Sequence, residues 1–421
     1  MEETAKIFAS AMPVFLLLVL LEKLIGYLRN NDTVPWMDTL ASFYSGITLV
    51  IRALLGLSIS IVSYDFLYQH LAFIRIESTW LVYVVTFVVL DFEFYWGHRF
   101  HHTINLLWNS HLIHHNSEAY HIATSTRQPF LVFTNFLFFL AIPAALLGLS
   151  PTVIAVVLPV HKLAQVWYHT QQIGKLGFLE HLIVTPSQHR VHHALNPIYL
   201  DKNYSAIFNI WDKLFGTFQE ELESDPPVFG ITRPSRTYNP ITINVEHFIL
   251  LLKDAWRTEK YLDKLSIWFR PTGWRPEGFE EKYPVEKITN HRNFEKFSPP
   301  TSKGLLVWST IQFFVLAFLV NFWLKNISMI GFSEVLLLAG IVLVQVYSAT
   351  ELMNRNPLAP IYSIACSLIC LGIYFIKPAF WDMDIFSSFV HFAFGSYLGI
   401  QVVLSFFLSP KNELFHSQKS I

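Results

Sequence analysis

Between His98 and His115 six of eighteen residues are histidine, and 13 of the chain's 18 histidines fall between His98 and His193. Three clusters have the spacing of metal ligands. "HRFHH" offers His98 and His102 at i, i+4; "HLIHH" offers His111, His114 and His115; "HRVHH" offers His189, His192 and His193. On a helix, positions i and i+3 or i+4 share a face, so two imidazoles there can grip one ion. Adjacent helical residues point about 100° apart, because a turn takes 3.6 residues. One H-x-x-H-H segment can therefore address two ions. Eight box histidines exceed one tetrahedral site and suit a pair of metals.

His169, in "HKLAQVWYHT", is expected to be a ninth ligand, on one helical face with Gln165. His161 lies near it and stays outside the set. His101 faces away from the His98/His102 pair and is left out. His70, His247, His291, His391 and His416 are isolated and read as structural. Asp91 precedes His98 by seven residues, hence on the same helical face. A carboxylate in lipid needs a partner, and metal-bound imidazoles usually donate their other N–H to a carboxylate or carbonyl. Asp91 is therefore expected to support a ligand histidine, with a helix–helix hydrogen bond as the alternative. Glu118, in "HHNSEAYH", is expected either to orient a ligand or to cap the next helix.

Imidazole suits zinc, copper, iron and nickel, so the ligands alone do not name the ion. All-nitrogen ligation of two ions favours redox work on an apolar substrate. Hydrolysis more often uses one ion with an open position or a carboxylate-bridged pair. Oxygen activation at iron fits best, with the protein positioning an unactivated C–H bond beside the metal.

The elements that must hold these residues lie in a membrane. The chain has 421 residues, is 52% hydrophobic and only 14% charged, against about 25% charged in a soluble domain. Its net charge of −1 makes no case for nucleic acid. Cys366 and Cys370 sit in an apolar run and read as packed helix residues, not as a disulfide or metal framework. The N-terminus "MEETAK" is not basic, which argues against a cleaved signal peptide.

A span needs about 20 mostly apolar residues. Nine stretches qualify, near 10–28, 41–64, 79–97, 130–149, 152–168, 305–324, 329–348, 358–376 and 386–408. The expected fold is all-α: a polytopic membrane helix bundle of about nine spans with a cytosolic histidine-rich di-metal site. Four parts are expected: N-terminal spans (1–78), a histidine-box core with three spans (79–220), a cytosolic interfacial segment (221–303) and a C-terminal four-span region (304–421). If spans alternate, the ends of spans three and five emerge together, bringing the boxes to one face. Segment 170–303 on that face holds 17 of the 30 Lys and Arg, and Lys23, Arg29, Arg99 and Arg127 add to the bias. The positive-inside rule places this face in the cytosol, with the N-terminus outside and the C-terminus inside. "NYSAIFNIWDKLFGTF" and "VEHFILLLKDAWRTEKYLDKLSIWF" carry apolar residues at helical spacing and read as interfacial helices, with a small soluble cap domain as the alternative.

The three boxes, in this order at the ends of membrane helices, resemble the fatty acid hydroxylase/sterol desaturase superfamily. "LDFEFYWGHRFHH", "LWNSHLIHHNSEAYHIATSTRQ", "TPSQHRVHHALNPIYLDKNYSAIFNIWDKLFGTF" and "KLSIWFRPTGWRP" look like its alkylglycerol monooxygenase branch. The resemblance is strong through 80–280 and weak in the last four spans. It implies a di-iron, O2-dependent membrane oxygenase acting on a glycerol ether lipid. Hydroxylation next to the ether oxygen would give a hemiacetal, which collapses to a fatty aldehyde and a glycerol lipid. The eight box histidines take the ligand roles by residue-by-residue match. The polar glycerol head would sit at the basic face, near Arg127 and Gln128. Animal members use tetrahydrobiopterin and carry a Glu immediately after the first box. That position is Thr103 here, which puts pterin dependence in question and leaves a redox protein as another electron donor. The implied compartment is the endoplasmic reticulum membrane in a eukaryote and the inner or plasma membrane in a bacterium. Two other readings stand beside this one. One is a fatty acid, sterol or carotenoid hydroxylase or desaturase of the same superfamily. The other is a metal-ion transporter, whose sites lie at the bilayer midplane on broken helices and not at helix ends.

Overall fold

A computed structural model of the chain describes residues 2–55, 63–130, 134–326, 331–376 and 388–410. Among these there is no β-sheet, only two isolated bridges, Ile183 to Phe208 and Ala194 to Phe229. Eleven helices position the site. They are α1 (Glu2–Leu28), α2 (Trp36–Leu55), α3 (Trp80–Thr103), the single turn α4 (Leu112–His115), α5 (Pro151–Leu163), α6 (Pro186–His192), α7 (Pro240–Arg257), α8 (Lys303–Lys325), α9 (Phe332–Met353), α10 (Ala359–Ile376) and α11 (Ser388–Leu408).

The starts of these helices are written locally. Pro151, Pro186 and Pro240 stand in the first turn, where a missing N–H costs nothing. Ser150, Asn239 and Ser302 cap α5, α7 and α8 by accepting from the N–H of Val153, Ile241 and Leu305. In the turn before α5, Gly148 has φ +72°. A Cβ there would lie 2.0 Å from the carbonyl oxygen of Ile74, so only glycine fits.

Among the described residues α3, α8 and α9 are long and apolar enough to cross a membrane. Helix α3 buries Val82, Thr86, Leu90, Asp91 and Tyr95 on one face and exposes Trp80, Leu81, Val84, Val85 and Val88 on the other. Helix α8 likewise exposes Val307, Ile311, Phe314 and Phe318. These outer faces suit hydrocarbon. Helices α2, α8, α9, α10 and α11 share a core that includes Tyr44, Leu316, Trp323, Val342, Met353 and Leu398. Cys366 and Cys370 are free and buried in it.

Two expected spans differ from the sequence reading. In 130–149 the described part is a 3-10 segment, Thr134–Ala141, followed by a short helix, Ile142–Leu146. In 152–168 the helix stops at Leu163. Thirteen residues rise only about 20 Å, short of the roughly 30 Å hydrocarbon core. Pro143 and Gly148 break the apolar run that hydropathy reads as continuous. Helix α5 still packs on α3 through Val153 and Val157 against Val82 and Leu90. The second expected span runs into residues 56–62, outside the described residues, as does the start of the last, at 386–387.

The polar segment between α6 and α8 packs over the end of α3. The N–H groups of Asn105 and Leu106 donate to the carbonyls of Arg270 and Trp268 at 3.0 and 2.9 Å. The segment "NYSAIFNIWDKLFGTF" holds only one short helix, Ile210–Leu214. Helix α7 and the turn Tyr261–Ser266 expose Ile249, Leu252, Trp256, Leu262 and Leu265 together with Phe269, while Ile243, Asn244, His247 and Leu251 are buried.

Candidate metal centre

Four elements converge at the C-terminal end of α3. That helix brings His98 and His102. The chain then reverses through a four-residue helix, Asn105–Trp108, and α4 with its preceding residue brings His111, His114 and His115. His169 follows α5, and α6 with its cap brings His189, His192 and His193. These nine histidines fall into two groups. His98, His102, His111, His115 and His192 form one; His114, His169, His189 and His193 form the other. Within each group the facing ring nitrogens lie within 4.8 Å of one another. Each H-x-x-H-H box is shared: His115 and His192 go to the first group, His114, His189 and His193 to the second.

The nitrogen spacing fits shared ions. The Nε2 atoms of His98 and His111 are 2.8 Å apart, and those of His115 and His111 3.1 Å. In the second group His169 to His114 is 3.4 Å, His189 to His169 3.1 Å and His193 to His189 3.0 Å. Two imidazoles on one ion, with metal–nitrogen bonds of about 2.1 Å, hold their nitrogens roughly 3 to 3.4 Å apart. Backbone carbonyls set the tautomers. His98 Nδ1 donates to Tyr204 O at 2.7 Å, His192 Nδ1 to Lys202 O at 2.9 Å and His169 Nδ1 to Gln165 O at 3.0 Å. With the proton on Nδ1, each Nε2 turns a lone pair into its group. The Nε2 atoms of His102 and His192 are buried without a protein partner. Burial first, and neighbouring imidazoles second, hold His111, His115, His189, His192 and His193 far below the usual histidine range. Neutral imidazole is the form that binds metal.

The remaining expected residues do other work. His101 is buried but stands outside both groups, its Nδ1 donating to Gly97 O. Asp91 touches none of the nine histidines. Its carboxylate accepts from His161 Nε2 at 2.9 Å, from Ile207 N at 2.9 Å, from Phe208 N at 3.0 Å and from Trp211 Nε1 at 2.9 Å. It thus pins the loop whose Tyr204 carbonyl holds His98. Asp212 pins the same loop from the other side, accepting from Tyr204 N at 2.8 Å and Ser205 N at 2.9 Å. Glu118 accepts from Phe297 N and faces Arg236 at 3.8 Å, away from the histidines. Arg127 is not an open headgroup contact: it is buried, bonding Asp38 Oδ2 at 2.7 Å and Ser42 Oγ at 2.9 Å. Thr103 donates to Arg99 O and accepts from Thr272 N. Sequence reasoning passed over Tyr204, Lys202 and Asp212. Two of these act through carbonyls that carry no residue signature, but a buried aspartate beside a Trp in "NIWDKLF" was a usable hint.

Comparison with known proteins gives the family. A family model described as fatty acid hydroxylase matches residues 83–217, a stretch that contains both histidine groups, Asp91 and Asp212. The chain is 32% identical over 382 residues to alkylglycerol monooxygenase of Homo sapiens, covering 89% of this chain and 84% of that protein. It is 33% identical over 385 residues to alkylglycerol monooxygenase of Danio rerio, covering 90% and 85%. To ornithine lipid hydroxylase OlsE of Rhizobium tropici it is 30% identical over 152 residues, covering 35% and 45%. No solved structure matches. The likeness to the two alkylglycerol monooxygenases thus runs through the histidine groups and on over most of the helices around them, and the chain belongs to the alkylglycerol monooxygenase family.

Proposed function

We infer that this chain is an integral-membrane di-iron monooxygenase that cleaves the O-alkyl bond of glycerol ether lipids. The observation that carries the reading is the sharing of two H-x-x-H-H boxes between two histidine groups in a chain of this family. Nine neutral imidazoles in two groups suit two first-row metal ions, iron among them, and the fatty acid hydroxylase match favours iron. Iron held there would supply the activation of O2 and the oxidation of a substrate C–H bond.

The protein's part is positioning. The carbonyls of Tyr204, Lys202 and Gln165 fix three ligand rings. The histidines sit where α3, with its outward apolar face, meets the polar segment, so an alkyl tail can stay among the helices while a glycerol head stays at the polar face. That arrangement brings the carbon next to the ether oxygen to the depth of His98 and His169. Its C–H bonds are weakened by that oxygen, and a mid-chain carbon would need a far longer channel. The site faces the cytosol in this reading, with the exposed apolar residues of α7 and Phe269 resting on the membrane surface. The four-part organisation at 1–78, 79–220, 221–303 and 304–421 belongs to it as well.

The second reading is oxidation of an acyl chain, favoured by the fatty acid hydroxylase match. One experiment separates them. Membranes carrying the protein are given a 1-O-alkylglycerol and labelled O2. Label in the fatty aldehyde or derived acid supports ether cleavage. An untouched ether beside a hydroxylated acyl chain or sterol supports the alternative.

A further inference from the structure

His101 stands in the first histidine box yet outside both metal groups. Its Nδ1 donates to Gly97 O, one turn back along α3. With the proton spent there, Nε2 is the acceptor of a neutral ring. Among the described residues that Nε2 has no hydrogen-bond partner. Unlike the Nε2 atoms of His102 and His192 it also keeps accessible surface, although the residue as a whole is only 8% exposed. The ring lies close to the metal centre, its centroid 5.9 Å from that of His111 in the first group. His101 thus presents an unused acceptor beside a ligand histidine.

The space on this side of α3 is lipid-like. Phe100 and Ile104, on either side of His101 in the chain, line a cavity of about 200 Å³ with Leu107, Leu137, Phe139 and Phe269. The Phe100 and Phe139 rings close on one another across it, 6.2 Å apart between centroids. An apolar side chain would fill such a place at no polar cost. An imidazole that bonds only its own helix leaves a desolvated acceptor unpaired, which is unfavourable. An O–H donor that reaches Nε2 removes that penalty. A cationic donor would carry its charge into apolar surroundings, so a neutral hydroxyl suits the position better.

We propose that His101 is a substrate-binding residue that sets specificity: its Nε2 accepts a hydrogen bond from the C-2 hydroxyl of the glycerol ether. The proposal rests on the ether-lipid reading above. In a 1-O-alkylglycerol that hydroxyl is separated from the reacting carbon by the ether oxygen and two glycerol carbons. The span is comparable to the 5.9 Å between the His101 and His111 rings, so one lipid can reach both. The hydrogen bond would hold the carbon next to the ether oxygen beside the first group. A saturated acyl chain offers no such donor, so the same acceptor discriminates against the rival substrate.

The test uses iron-loaded full-length protein in mild detergent. Equilibrium binding of two labelled lipids is measured without O2: a 1-O-alkylglycerol, and the 3-alkoxypropan-1-ol that lacks only the C-2 hydroxyl. The wild type is compared with His101→Phe, which removes the acceptor, and His101→Gln, which keeps one. Iron content reports the integrity of each variant. The wild type is expected to bind the alkylglycerol about 10- to 100-fold more tightly than the analogue, the worth of a buried hydrogen bond. His101→Phe should lose that preference, and His101→Gln should recover part of it. A preference that persists in His101→Phe overturns the proposal, as does its absence from the wild type. So does equal weakening for both lipids with loss of iron, which would make His101 a support for a ligand ring. If O2 and a reductant are then added and the ether is cleaved without any preference for the C-2 hydroxyl, the ether-lipid reading stands and the His101 assignment fails. If the preference depends on His101 but neither ether is oxidised, the assignment stands and the ether-cleavage reading fails.

Discussion

Asp91 and His161 meet at 2.9 Å, carboxylate oxygen to Nε2, between α3 and α5, and neither side chain is reached by solvent. The pair joins two helices that end at the metal centre. It also leaves the rest of the carboxylate free to hold Ile207, Phe208 and Trp211, so one side chain ties three parts of the chain together.

Asp91→Asn keeps the shape but places an amide N–H₂ against a ring of donors. It should destabilise the fold by about 3 kcal/mol, as breaking a buried charged network does. Thermal unfolding in detergent measures this. Iron loss at an unchanged unfolding temperature would instead mean that the carboxylate acts on a ligand histidine and not on the loop.

Neighbours in the first box should behave oppositely. His102→Ala removes a nitrogen from the first group and should abolish activity and reduce bound iron. His101→Ala removes a ring outside both groups and should leave iron content near wild type. Metal analysis of the two purified variants settles the register; iron retained in the first and lost in the second would reverse it.

His169→Ala leaves three histidines in the second group and five in the first. Iron should fall from about two per chain toward one, because a bimetallic centre can lose one ion while the other keeps its ligands. Equal loss of both ions would show that the two groups do not bind independently.

Without metal, the histidine groups should make stability depend on pH. Burial lowers the pKa of His111, His115, His189, His192 and His193 in the fold, whereas the unfolded chain takes up protons near the ordinary value of about 6.5. The unfolded state then binds more protons below that pH, so stability is full above about 6.5 and falls as the pH drops. Unfolding of chelator-treated protein between about pH 7.5 and 5.5 tests the sign; a flat profile would contradict it.

The exposed apolar patch on the polar segment should touch lipid. Trp256 is 86% exposed and neighbours exposed Leu252. Brominated lipids in reconstituted vesicles should quench a fraction of the fluorescence that disappears in Trp256→Phe. Equal quenching in wild type and variant would put this face in water.

Much of the centre was legible in the sequence because metal ligation is local in its demands. An imidazole pair at i, i+3 or i+4 shares a helical face wherever the helix goes, so the convergence of the boxes and the place of His101 outside both groups follow from spacing. Hydropathy likewise marks α3, α8 and α9, the described helices long and apolar enough to cross a membrane. That one H-x-x-H-H box can face two groups was also legible; the tertiary structure decided which histidines share a group, His115 with His192 and His114 with His189 and His193, because that depends on how α4 meets α6. It alone showed that Asp91 serves a loop, since a carboxylate's partner is whichever donor packing brings to it. It shortened the helices of the expected fourth and fifth spans, in the fourth where Pro143 and Gly148 interrupt an apolar run. It also placed Arg233 and Glu246 beside Trp108, residues far apart in the chain that no local pattern joins.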